Sequence, residues 1–152
     1  MFMRLVVALI AGTILGVERE LVGQKAGVRT EMIVSAGAAM FTMVGLSLPY
    51  LIAESSGIPV SAVTVTGGLG VIAGVVTGIG FLGAGLIIKM NDQPHGVTTA
   101  ALVWMTAAIG ILAGIGMIQF AFTSTILIAF ALYALRKLNV SEHLEKHATK
   151  NP

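Results

Sequence analysis

"GVVTGIGFLGAG", residues 74–85, contains a literal G-x-G-x-x-G at Gly78, Gly80 and Gly83. In a nucleotide-binding fold that spelling marks the loop that carries a dinucleotide pyrophosphate. Such a loop needs a strand before it, a helix after it and an acidic residue about 20 positions on. Here the glycines lie within residues 62–88, which carry no charge, and the position 20 after Gly83 is Val103. A phosphate would have to enter an apolar run. The dinucleotide reading is excluded.

The composition says what the apolar run is for. The chain has 152 residues, 56% hydrophobic, 11% charged, with 19 glycines and a mean hydropathy of +0.94. A soluble domain carries about 25% charged residues, so the class is an integral membrane protein. The excess of nine Lys/Arg over seven Asp/Glu is too slight to suggest nucleic acid, and the absence of cysteine excludes disulfides and thiolate metal sites.

A helix needs about 20 apolar residues, at 1.5 Å each, to cross some 30 Å of hydrocarbon. Five spans fit, near residues 2–17, 32–53, 65–88, 98–113 and 117–135, followed by a short tail at 136–152. No charge lies between Val97 and Arg136. That stretch is nearly two crossings long, so it must turn, and Gly114-Ile115-Gly116 is the natural place. The first span is not expected to be a cleaved signal peptide, because no A-x-A-like site precedes Glu18. With five spans, loops 18–31 and 89–97 and the tail share one side. They hold eight of the nine Lys/Arg, leaving Arg4 alone on the other. The positive-inside rule then puts the N-terminus outside and the C-terminus in the cytoplasm. The expected fold is an all-α membrane bundle of about five helices.

Between membrane helices, small residues matter because they let backbones approach. Gly70, Gly74 and Gly78 are spaced by four, with Gly80, Gly83 and Gly85 beyond them. Gly12/Gly16 and Gly110/Gly114 repeat the pattern on the first and fourth spans. The third span is therefore expected to be the central, most tightly gripped helix, although its glycines also permit a hinge. Trp104, inside the fourth span, is assigned to packing.

Charges collect at the cytoplasmic side. "GVEREL" (16–21) gives Glu18, Arg19 and Glu20, "AGVRTE" (26–31) gives Arg29, Thr30 and Glu31, and "KMNDQPHGVTT" (89–99) gives Lys89, Asp92, Thr98 and Thr99. Glu18, Glu20, Glu31 and Asp92 are of the type that holds Mg²⁺ with retained waters. The competing arrangement is mutual pairing with Arg19 and Arg29. Thr98 and Thr99 suit caps on the fourth helix, His95 has no partner at metal-ligand spacing, and His143 and His147 lie in the tail. No acid, base and nucleophile constellation points to an enzyme, and no cofactor motif remains.

Three ordered blocks carry a resemblance. "GVERELVGQKAGVRTEMIVSAGAAMF" (16–41), "VVTGIGFLGAGLIIK" (75–89) and "GVTTAALVWMTAAIGILAGIGM" (96–117) are similar to the MgtC/SapB family of bacterial and archaeal inner-membrane proteins. The matching positions are Glu18, Arg19, Glu20, Arg29, Thr30, Gly78, Gly80, Gly83, Gly85, Thr98, Thr99 and Trp104. The chain departs where the family commonly has histidine after Arg-Thr, here Glu31. Longer members continue into a soluble C-terminal domain where this sequence has only the tail at 136–152, so the short form is the expectation. The resemblance implies about five spans and a role in growth at low magnesium. It also implies a regulator acting on other membrane proteins, such as the proton-driven ATP synthase. That gives two expectations: a non-enzymatic inner-membrane regulator binding partner helices, or a small oligomeric channel or carrier for Mg²⁺ or another cation. A homodimer is the default assembly. Leucine at Gly74 or Gly78 is expected to disrupt folding or assembly.

Overall fold

The computed structural model describes residues 1–60, 66–90 and 93–137. Five helices follow one another: α1 (Phe2–Leu21), α2 (Val28–Ser56), α3 (Thr66–Leu86), α4 (Val97–Ile115) and α5 (Ile118–Lys137). A short antiparallel hairpin, β1 (Ile88–Met90) with β2 (Gln93–His95), joins α3 to α4. Helix dominates because lipid offers no partner for a free N–H or C=O, so each span must satisfy its own backbone. Four helices, α2 to α5, are long and apolar enough to cross a membrane. α1 has the length, at 20 residues, but includes Arg4, Glu18, Arg19 and Glu20.

Glycine makes the reversals. Gly23 and Gly116 adopt positive φ, 71° and 104°. At each, the N–H one residue further on returns to a helix carbonyl: Gln24 to Arg19 at 3.1 Å, and Met117 to Leu112 at 2.9 Å. These six-to-one bonds are Schellman closures. They end α1 and α4 with the carbonyls of Arg19 and Glu20, and of Leu112 and Ala113, paired. The second lies in the glycine turn expected from the sequence.

Contacts fix the directions of the helices. A Cβ on Gly12 would lie 2.5 Å from the Glu31 carbonyl, and one on Gly16 would lie 2.5 Å from Val28 Cα. Advancing along α1 means retreating along α2, so the two are antiparallel. Gly110 faces the Ser35 carbonyl, and a Cβ on Gly114 would lie 2.7 Å from that of Ala39, so α4 runs parallel to α2. α3 lies antiparallel to α2, with Val71 against Gly45. Pro49 has no N–H and so frees the Gly45 carbonyl within α2. There Gly68 packs, where a Cβ would stand 3.1 Å from that oxygen. α5 returns along α4, Phe120 and Leu127 lining one cavity with Met105 and Leu112. The five helices, α1 included, therefore alternate in direction.

The hub is α2, which corrects the expectation that α3 is central. α2 presents Ser35, Ala38, Ala39, Thr42 and Gly45 to its neighbours, all buried. α3 is mostly exposed. A Cβ on Gly70, Gly74, Gly78, Gly80 or Gly85 would meet nothing within 4 Å, and at Gly83 only Ala100, at 3.7 Å. Trp104 is 48% exposed and does not pack into the chain. The main core joins Ala8, Ala11 and Leu15 of α1 to Ala39, Met43, Ile109, Ala113 and Ala121.

Side chains inserted against backbone cannot be absorbed by a rotamer change. Gly12→Leu and Gly110→Leu are each expected to cost about 3 kcal/mol or more. Gly74→Leu should leave the unfolding temperature of the purified protein in detergent near wild type. Thermal unfolding of the three variants followed by circular dichroism makes the comparison.

Candidate functional site

The alternation gathers charge at one end of the bundle. The end of α1, the start of α2, the β1–β2 hairpin, the start of α4 and the end of α5 meet there. Arg19, Lys25, Arg29, Lys89, Arg136 and Lys137 belong to that end. Arg4 lies at the other, where its guanidinium donates to the Gly114 carbonyl at 3.0 Å and closes over Gly116.

The sequence-nominated residues divide into three groups. The first is buried. Arg19 is 6% exposed and is held by Glu18, with Nε and Nη2 both donating to Oε2 at 2.6 Å. Glu31 is 0% exposed. Arg19 of α1 and the Thr106 hydroxyl of α4 both lie against it. The expectation that these groups stand in water at the membrane face is therefore corrected: they lie between α1, α2 and α4. Geometry explains it. Gly12 and Gly16 let α1 lie directly on the first turns of α2, leaving the Glu31 level no path to solvent.

The second group ties the end together. Glu20 Oε2 accepts the Val28 N–H at 3.2 Å, so a carboxylate of α1 caps α2, whose own N-cap is Gly27. An acid at a helix start also suits the helix dipole. The Thr99 hydroxyl, buried, donates to Gln24 Oε1 at 3.0 Å and fastens the α1–α2 turn to α4. It does not cap α4; Gly96 occupies that position with φ 86°, against the Leu86 carbonyl. Gln24, Lys25, Ile88, His95, Gly96 and Thr99 line a cavity of about 230 Å³ here.

The third group is exposed: Arg29, Thr30, Lys89 and Thr98. Asp92 lies outside the described residues, so a site shared by Glu18, Glu20, Glu31 and Asp92 is not assembled from the residues described. Among those, no three His, Cys, Asp or Glu come together as metal ligands. Sequence reasoning missed Gln24, Ser35 and Thr106. The signal was available for Ser35, a hydroxyl one turn after Glu31 and so on the same helix face.

An alternating helical bundle with a charged pair and a carboxylate sealed inside defines an integral membrane protein with a polar interior near one end. Comparison with known proteins then gives the family: residues 5–141 match the MgtC family, and the chain belongs to it. It is 35% identical to Protein SrpB of Synechococcus elongatus, over 89% of this chain and 74% of that protein. It is 36% identical to "Putative magnesium transporter YhiD" of Escherichia coli K12, over 93% and 66%. Protein MgtC of Salmonella typhimurium is 34% identical, over 89% of this chain and 52% of its own length. The chain thus spans between half and three quarters of these relatives. No solved structure matches it significantly.

Removing one partner of a buried ion pair leaves an uncompensated charge, at a cost of about 3–5 kcal/mol. Glu18→Ala is expected to destabilise by that order. Glu20→Ala, at an exposed cap, should cost only about 1 kcal/mol. Denaturant or thermal unfolding of the two variants side by side measures the difference.

Proposed function

We propose that this chain is a non-enzymatic protein of the cell inner membrane that serves magnesium homeostasis by side-on contact with other membrane helices. Magnesium enters through the relatives, since one of them is named "Putative magnesium transporter YhiD". The observation that carries the mode of action is the outward face of α3. Gly70, Gly74 and Gly78 stand open, although glycine costs helix stability and is enriched at membrane helix contacts. An apolar groove of about 500 Å³ lies between α2 and α3, lined by Gly37, Phe41, Gly74, Gly78, Ile79 and Leu82 among others. A partner helix, from a second copy or another protein, gains close backbone contact there. The basic end would face the cytoplasm, as the positive-inside rule favours.

A second reading, a cation channel or carrier, draws on the carboxylate buried at Glu31. The two differ in liposomes, where a regulator produces no Mg²⁺ flux and a carrier produces flux that Glu31→Gln abolishes.

For the leading reading, cells lacking the protein are expected to grow less well than wild type at limiting magnesium. Gly78→Leu should fail to restore growth while keeping wild-type membrane abundance and unfolding temperature. Full rescue by Gly78→Leu contradicts a docking role for this face.

A further inference from the structure

Most hydroxyls on these helices settle on their own backbone, and buried Thr99 bonds to Gln24; Ser35 and Thr106 do neither. Thr13, Thr42, Thr77, Thr123 and Thr125 each donate to the carbonyl four residues back, at 2.8–2.9 Å. That local bond is the usual way to satisfy a hydroxyl in lipid. Ser35 and Thr106 are fully buried, yet neither hydroxyl has a hydrogen-bond partner among the described residues. Both belong to the Glu31 level: Ser35 one turn along α2, Thr106 across from it on α4. Both oxygens of the Glu31 carboxylate are likewise buried and unpartnered. Unsatisfied buried polar atoms are rare in native proteins and call for an occupant.

Charge and donor type say which occupant. The groups facing Glu31 from α1 are Arg19 and its neighbour Glu18, and α4 has no titratable residue. Arg29, on α2 itself, is exposed. Arg19 is committed to Glu18 through two nitrogens. With Glu31 ionised, one guanidinium and two carboxylates leave a single uncompensated negative charge. Oxygen-only donors select hard cations, and Mg²⁺ demands several retained waters for which a sealed interior has little room. A divalent ion would also leave surplus positive charge at low dielectric. A proton alone fits less well. A proton on the carboxyl leaves the Ser35 hydroxyl still without a partner, whereas an oxygen-ligated ion engages the carboxylate and both hydroxyls together.

We infer that Glu31, Ser35 and Thr106 form an occluded site for one hard monovalent cation of the Na⁺ class, balanced by the Glu31 carboxylate. The site is independent of partner docking on α3 and stands or falls separately.

The full chain in lipid nanodiscs tests it by thermal unfolding in NaCl against choline chloride at equal ionic strength. Sodium is expected to raise the Tm of the wild type by about 3 °C. Glu31→Gln should lose the shift, as should Thr106→Val, a near-isosteric change that keeps the charge. Unchanged helical circular dichroism establishes that both variants fold. Bound ²²Na⁺ should saturate at one per chain in the wild type only. Equal Tm in the two salts, or a sodium shift retained by Glu31→Gln, overturns the site. So does a shift produced by MgCl₂ alone, or a dependence on pH through Glu31 without any on sodium.

Discussion

Everything in this bundle depends on backbone meeting backbone along α2. Lipid tails are as apolar as leucine, so burying apolar side chains between helices gains little, and close packing must supply the attraction. Gly12 and Gly16 bring α1 against the Glu31 carbonyl and Val28. Gly110 and Gly114 bring α4 against Ser35, Ala39 and Thr42. The glycines lie on the outer helices and the small side chains on the hub. Neither set has meaning without the other.

The same clasp produces the chemistry. Two helices drawn this close over the first turns of α2 seal in Glu31 and Arg19, which a looser bundle would leave in the headgroups. Sealed charge needs partners, and Arg19 finds Glu18 at 2.6 Å. Glu31 is left with hydroxyls. At the bundle end the loops are fastened through side chains: Glu20 onto the start of α2, and Thr99 onto Gln24. The end with most of the chain's charge is thus also its most tied-down end, while α3 lies against α2 with its other side open to lipid.

The sequence made the helices legible because charge marks where a span stops. The uncharged run up to Arg136 had to reverse, and glycine is the residue that tolerates the positive φ of that reversal, seen at Gly116. The β1–β2 hairpin lay in a stretch read only as a loop. The rank of the helices was not legible from glycine content. An outward-facing glycine in lipid exposes no polar surface, so the spacing of Gly70, Gly74 and Gly78 looks the same whether it faces in or out. The small residues of α2 carried the better signal: Ser35, Ala38, Ala39 and Thr42 recur at three and four. Glu31 was misplaced because a charge at a span's edge ordinarily reaches water. Only the glycines opposite it, a long way off in sequence, determine that it does not.

The central claim is that α1, despite its four charges, crosses the bilayer as one of five alternating helices clasped on α2. Single cysteines report it cleanly, since the chain has none of its own. Cysteines replacing Phe2, Gly57 and Met117 should label from one side of a sealed membrane, and those replacing Gly23, Lys89 and Lys137 from the other. Labelling of positions 2 and 23 from the same side would contradict the account.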